Sequence, residues 1–129
     1  MTELVLIHKE DDIVDIQMNL PPVNALNSEL VDALHEQIDL HTENDAKGLI
    51  LSGREGIYSA GLDVKKLLQM DADEISTFFK SFWGLMAKIS KSPIPVVSAI
   101  TGHSPAGGAV LANFCDYRVA ASGNFKIGM

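Results

Sequence analysis

The stretch Gly102-His103-Ser104-Pro105-Ala106-Gly107-Gly108-Ala109-Val110 decides the fold, because it joins a strand-like run to a helix-like run through glycines. Residues 95–101, before it, have the length and branching of a buried strand. Residues 106–114 are small or apolar, as in a buried helix. Glycines at such a turn let a ligand approach the main chain near the positive end of the helix. The stretch therefore predicts either an anion site or a tight packing point.

A second stretch, residues 53–63, leaves a strand-like run in the same way. It follows the apolar residues 48–52 and ends at Asp63, a natural N-cap for a short helix over residues 64–70. The main-chain N–H of Leu62 would then face outward at a helix start. The alternative interpretation makes Asp63 only a cap and Gly61 only a point of close packing.

The rest of the chain alternates strands and helices. Residues 4–7 and 13–20 predict a β-hairpin. A helix is expected from Asn27 or Ser28 to about Thr42, and another over residues 72–90 after a capping box of Asp71 and Glu74. The apolar face of the first helix comprises Leu30, Val31, Leu34, Ile38 and His41. The apolar stripe of the second comprises Ile75, Phe78, Phe79, Phe82, Trp83, Met86 and Ile89.

The two glycine stretches together resemble the signature of the crotonase (enoyl-CoA hydratase/isomerase) superfamily, F-S-A-G-x-D followed by N-G-x-x-x-G-G-G and C-D-x-R. Here residues 58–63 read YSAGLD, residues 101–108 read TGHSPAGG and residues 115–118 read CDYR. Residues 19–27, NLPPVNALN, are a further match. The resemblance extends from about Leu4 to Met129. It implies an α/β fold, a ClpP-like spiral of β-β-α units, with residues 1–129 as the N-terminal part of a single domain that lacks its C-terminal helices.

The resemblance also implies roles for particular residues. In that family, the N–H groups of the residues that match Leu62 and Gly107 form an oxyanion hole for the thioester carbonyl of an acyl-CoA. Two preorganised donors stabilise the negative charge that develops when a neighbouring proton is removed. Lys65 and Lys66 are candidates for the CoA phosphates, with Lys65 preferred and a solvated helix face as the alternative. The expected substrate contacts are Ala60, Gly61, Leu62, Asp63, Val64, Lys65 and Gly107. The apolar stripe of the helix over residues 72–90 is expected in the core, and the alternative implied by the resemblance is that a few of its aromatic side chains border the acyl pocket.

The choice of reaction depends on carboxylates. Family hydratases carry a Glu two residues past the last glycine of the second loop, where this sequence has Val110. Water addition needs a pair of carboxylates, whereas moving one proton between two carbons needs one. The motifs are most similar to those of Δ3,Δ2-enoyl-CoA isomerases, in which the catalytic Glu follows G-[L/M]-N-E. Gly128-Met129 match the first two letters, so the Glu is expected just beyond Met129.

Two alternatives remain open at this stage. One is another crotonase reaction, namely hydration, decarboxylation or thioester hydrolysis. The other is a non-catalytic acyl-CoA-binding protein, because Asp63, Asp71, Glu74 and Asp116 all have structural interpretations as caps or as partners of backbone or Arg118. The resemblance further implies a homotrimer or a dimer of trimers for the full-length protein, and no cofactor besides the CoA of the substrate.

Composition excludes several other classes. The formal net charge is −7 and no Lys/Arg cluster is present, which argues against nucleic-acid binding. The sequence shows no membrane span and no signal peptide at its N-terminus, so cytoplasm is expected. The single cysteine, Cys115, excludes an intramolecular disulfide and is interpreted as a small core residue. No metal site is expected from the four histidines, and His103 is given a structural or pocket-lining role.

Overall fold

A computed structural model describes residues 3–129; Met1 and Thr2, in the segment where no signal peptide is expected, lie outside the described residues. The elements in chain order are β1 (Val5–Glu10), β2 (Ile13–Met18), β3 (Ala25–Leu26), α1 (Ser28–Glu43), β4 (Gly48–Ser52), β5 (Gly56–Ile57), β6 (Gly61–Leu62), α2 (Val64–Leu67), α3 (Ala72–Ser90), β7 (Val96–Ile100), β8 (Gly102–Pro105), α4 (Gly107–Asn113), β9 (Tyr117–Ala120) and β10 (Ile127–Gly128). Within this part of the chain no helix combines the length and apolarity needed to cross a membrane.

The strands form one large sheet and two small ones. The large sheet has the order β1-β2-β4-β7-β9, antiparallel only at the β1–β2 hairpin. The small sheets have the orders β10-β8-β5 and β3-β6. The chain repeatedly passes from a strand of the large sheet to short strands of a second layer and then to a helix. This path confirms the expected spiral of β-β-α units.

The core lies between the large sheet and the helices. Along β2 the side chains of Val14, Ile16 and Met18 are buried, and those between them point the other way, as alternation in a strand requires. On α1, all five residues of the predicted apolar face are buried. Asn27 is the N-cap, its side-chain Oδ1 accepting from Leu30 N at 2.9 Å.

Helix α3 has the predicted bounds and the predicted capping box of Asp71 and Glu74. Ile75 and Phe79 of its predicted stripe are only half-buried, and two positions differ more strongly from the prediction. Trp83 is 51% exposed, whereas Leu85, absent from the predicted stripe, is fully buried. The reason is tertiary, since the Trp83 ring faces Phe114 at the end of α4, with 6.3 Å between ring centroids, rather than the sheet.

A second difference concerns residues 102–105, expected as part of a loop. They form strand β8, which pairs in parallel with β5 on one side and with β10 on the other. The main-chain N–H of Tyr58 donates to His103 O at 2.9 Å, and that of Ser104 donates to Lys126 O at 2.9 Å. This strand forms because it pairs with segments distant in sequence. Its own residues, which include a glycine and a proline, do not predict a strand.

Candidate active site

The two glycine stretches meet at one point of the second layer, where β6 lies beside the start of α4. An ideal Cβ placed on Gly107 would lie 3.0 Å from Gly61 Cα and 3.1 Å from Leu62 N. A Cβ placed on Gly61 would lie 2.7 Å from Gly107 N. The backbones approach this closely only because neither glycine carries a side chain. The structure therefore brings together Leu62 and Gly107, the two residues expected to supply N–H donors.

The N–H of Leu62 points away from its strand partner. Its neighbour Asp63 donates its own N–H to Leu26 O on β3, at 3.4 Å. Successive residues of a strand direct their main-chain groups to opposite sides. The Leu62 N–H is therefore turned from β3 toward the side on which α4 begins.

The N–H of Gly107 is free of the helix that it starts. The first N–H to donate within α4 is that of Val110, which donates to Ala106 O at 3.0 Å. Ala106, the N-cap, offers no side-chain hydrogen bond and has φ +49° and ψ −117°. A non-glycine residue in this region costs about 1–3 kcal/mol, and such strain concentrates at functional sites. The turn aims the start of α4 at the Leu62 loop.

An open cavity of about 420 Å³ adjoins both residues. Its lining is mostly apolar and comes from the Leu62 loop, α2, α3, the start of α4 and the end of β10. The lining residues are Ala60, Leu62, Val64, Phe79, Phe82, Trp83, Ala106, Gly107, Val110 and Met129. Such a space suits an apolar chain attached to a carbonyl group, with main-chain donors at one end.

The predicted CoA contacts at the start of α2 lie at the edge of this cavity. Asp63 caps the helix as predicted, its Oδ1 accepting from Lys66 N at 3.2 Å. The helix ends at Leu67 rather than at the predicted residue 70, because the chain tightens into turns in which Gln69 N donates to Lys66 O at 3.1 Å. Val64 is exposed and lines the cavity, and Lys65 is exposed on the same turn. Lys66 forms an exposed ion pair with Glu29, with 3.6 Å between Nζ and Oε2. Among residues 3–129 Lys65 forms no ion pair, which leaves its ammonium group available.

Asp116 has a structural partner in the backbone and does not line the cavity. Asp116 Oδ2 accepts from Val96 N at 2.7 Å, which confirms the interpretation of a backbone partner. Arg118 donates to Cys115 O at 3.0 Å and to Ala112 O at 3.4 Å, rather than to Asp116. Within the described chain, the cavity lining contains no carboxylate.

The buried titratable groups near the site are held neutral. Tyr58 is fully buried, and desolvation raises the pKa of its hydroxyl, which accepts from Ser98 Oγ at 2.6 Å. Burial likewise raises the pKa of Cys115 to about 11, and its Sγ contacts Leu111 O at 3.6 Å. The prediction of a core cysteine is confirmed. A thiol with this pKa is a poor nucleophile near neutral pH.

The histidines serve the fold. His103 lies in β8, where its Nδ1 accepts from Lys126 N at 3.0 Å. His35 Nε2 lies 2.8 Å from Ser81 O and links α1 to α3. The pKa of His41 is lowered by desolvation and by the charge of Lys9. No cluster of three or more metal-binding side chains occurs between residues 3 and 129.

Sequence reasoning gave no role to Asn24 and Ser59, although both lie in the quoted motifs. Both are fully buried polar residues, and their hydrogen bonds join residues 19–27 to the Leu62 loop. A polar side chain inside each of two matching motifs was the available signal, but a single sequence does not show that the two residues meet.

The fold, with Leu62 and Gly107 brought together at its second layer, is that of a crotonase-type domain. Residues 8–127 match the enoyl-CoA hydratase/isomerase family, and the chain belongs to that family. It is 34% identical over 130 residues to rat mitochondrial enoyl-CoA delta isomerase 1, covering 97% of this chain and 45% of the relative. It is 39% identical over 113 residues to bovine mitochondrial enoyl-CoA hydratase domain-containing protein 2, covering 85% and 38%.

Solved structures agree with this assignment. Human mitochondrial Δ3,Δ2-enoyl-CoA isomerase aligns with a TM-score of 0.86 and 30% identity, over 90% of this chain and 46% of that one. The chain thus spans less than half the length of these relatives.

Proposed function

We propose that the protein containing this chain acts on acyl-CoA thioesters through the main-chain N–H groups of Leu62 and Gly107. The observation that carries the proposal is the close approach of these two residues beside one apolar cavity. A thioester oxygen placed between the donors would gain negative charge as the neighbouring carbon loses a proton. Fixed donors stabilise that charge without reorganising, and losing one typically costs about 3 kcal/mol.

Within this family, the proposed reaction is isomerisation of a 3-enoyl-CoA to the conjugated 2-enoyl-CoA. One base takes a proton from C2, the double bond shifts, and the same group returns a proton to C4. Val110 supports this choice, because it presents an apolar side chain to the cavity where a hydratase would place a carboxylate. The expected base is a Glu beyond Met129. Met129 itself lines the cavity, which supports that position.

The CoA portion is proposed to lie along the start of α2. Ala60, Gly61, Asp63 and Val64 would contact the thioester and its neighbouring atoms, and the exposed ammonium of Lys65 would meet a phosphate group. The proposed homotrimer or dimer of trimers stays a prediction. Cytoplasmic location also stays a prediction, since several relatives are named as mitochondrial proteins.

The test compares two reactions of the native protein. Isomerisation of 3-enoyl-CoA is followed by the absorbance of the conjugated product, and hydration of 2-enoyl-CoA by its loss. We expect isomerisation to be faster. Val110→Glu should raise hydration relative to isomerisation, whereas the uncharged control Val110→Gln should not. Equal rates of isomerisation and hydration in the native protein would contradict the inference that Val110 disfavours hydration.

A second candidate is a non-catalytic acyl-CoA-binding protein, which is supported by the mostly apolar cavity beside the exposed ammonium group of Lys65. Tight binding of acyl-CoA with no isomerisation, hydration or exchange of the C2 proton at high protein concentration would support it. Exchange of the C2 proton with solvent would exclude it, because that exchange needs a base.

A further inference from the structure

A buried hydroxyl lies directly behind the proposed oxyanion hole. Ser59 is fully buried, and its Oγ donates to Asn24 O at 2.8 Å while accepting from Gly61 N at 3.1 Å. Gly61 immediately precedes Leu62, whose N–H is one of the two proposed donors. The hydroxyl therefore connects the donor loop to a residue that lies 35 positions earlier in the chain.

Asn24 holds the same loop at a second point. Its Nδ2 donates to Tyr58 O at 3.0 Å, and its Oδ1 accepts from Leu20 N at 2.7 Å. Asn24 is fully buried and has φ +51°, a conformation that asparagine tolerates better than most residues. Its side chain and its carbonyl thus fix Tyr58 and Ser59 together.

This support matters because the loop contains a flexible residue at a sensitive place. Gly61 has φ +93°, and glycine restricts neither its own peptide plane nor the next one. The direction of the Leu62 N–H depends on those planes. The N–H of Gly61, the residue before Leu62, donates to Ser59 Oγ, and the N–H of Asp63, the residue after it, donates to Leu26 O.

We propose that Ser59, supported by Asn24, is a positioning residue that sets the direction of the Leu62 N–H in the oxyanion hole. This inference rests on the proposed function, since it assigns a purpose to a donor that the thioester would use. It predicts that removing the hydroxyl weakens recognition of a thioester carbonyl more than recognition of the rest of the ligand.

The chain offers a matched control for the loss of a buried hydroxyl. Ser52, at the end of β4, is 5% exposed, and its Oγ donates to Asp15 Oδ1 at 2.5 Å. Neither Ser52 nor Ser59 lines the cavity. Ser52→Ala therefore removes a partly buried side-chain hydrogen bond without touching the donor loop. Unfolding by urea would measure the stability cost of both variants.

The experiment uses the native protein and two ligands, an acyl-CoA thioester and the matching thioether in which CH₂ replaces the carbonyl. The ratio of their dissociation constants measures what the carbonyl contributes to binding, and its change on mutation reports the contacts made to that carbonyl. We expect Ser59→Ala to reduce the thioester preference by about threefold, because a misdirected donor forfeits part of one neutral hydrogen bond to the ground-state carbonyl. Ser52→Ala should keep the full preference.

The outcomes separate the inference from the proposed function. A native protein with no thioester preference would overturn both. A native preference that Ser59→Ala retains, or that Ser52→Ala loses equally, would overturn the positioning role alone. If Ser59→Ala fails to fold, Ser59→Cys nearly preserves the volume and replaces the hydroxyl by a weak donor and acceptor. It should lose a smaller part of the preference, and full retention would count against the inference.

Discussion

The large sheet with α1 and α3 differs in construction from the layer of short strands that carries the site. The first is held by long apolar faces, such as Leu30, Leu34 and Ile38 on α1. The second consists of strands of two to four residues, β3, β5, β6, β8 and β10. It is held by close backbone contacts at glycines and by buried side-chain hydrogen bonds. Stability is therefore concentrated in one layer, and the proposed chemistry in the other.

The largest effect is expected in the first layer. Leu34 is fully buried, so Leu34→Ala should lower the free energy of unfolding by about 2–5 kcal/mol. Urea unfolding of the native protein would measure the loss. Activity per folded molecule should stay unchanged, because Leu34 does not line the cavity. A large loss of activity in fully folded protein would contradict the inference that stability and activity depend on different layers.

The next effect belongs to the second layer. Gly61→Ala places a Cβ 2.7 Å from Gly107 N at a residue with φ +93°, so the donors must move apart. We expect a loss of about a hundredfold or more in kcat, as for removal of one oxyanion donor. Steady-state assays with 3-enoyl-CoA would measure it. Retained activity in a folded variant would contradict the proposed site.

The same contrast explains what the sequence could predict. The bounds of α3 and the buried face of α1 follow from periodicity and capping residues, because these helices are long enough to show a pattern. Strand β8 was missed because its pairing depends on β5 and β10, which are distant in sequence. The default interpretation of the α3 stripe as core is wrong at Trp83, because periodicity does not distinguish a core position from one that lines a cavity.

The prediction of the candidate site depended more on the family resemblance than the prediction of the helices did. Spacing alone allowed a packing point at Gly61 and Gly107, and only the family motif paired Leu62 with Gly107. The structure brings the pair together, and their roles stay predictions. The supporting residues Asn24 and Ser59 lie in the matching motifs, but a hydrogen bond between distant segments leaves no local pattern that would pair them.

A pH effect of intermediate size tests the junction between the two layers at Cys115. Its pKa is raised from 9.0 to about 11 by burial, so the unfolded chain loses this proton first. The unfolded state therefore binds fewer protons above pH 9, and stability falls as pH rises from 9 to 11. The loss should reach about 1.4 kcal/mol by pH 10.

The measurement is urea unfolding at pH 8, 9 and 10, with Cys115→Ala as the control. The variant changes the overall stability, so the comparison concerns the decrease between pH values. The decrease should be smaller in the variant by about 1.4 kcal/mol. Identical pH dependence in the two proteins would mean that the thiol reaches solvent in the folded state.

The smallest effect has the opposite sign and compares two helical glycines. A Cβ on Gly84, within α3, would meet His35 Cε1 at 3.7 Å, an ordinary van der Waals distance. Gly84→Ala should therefore raise the free energy of unfolding by about 0.5–1 kcal/mol through helix propensity, with activity unchanged. Gly107→Ala brings its Cβ to 3.1 Å from Leu62 N, so it should lower activity. Urea unfolding and steady-state assays of both variants would measure these effects. If Gly107→Ala were as harmless as Gly84→Ala, the close approach at the site would be a packing feature without a catalytic purpose.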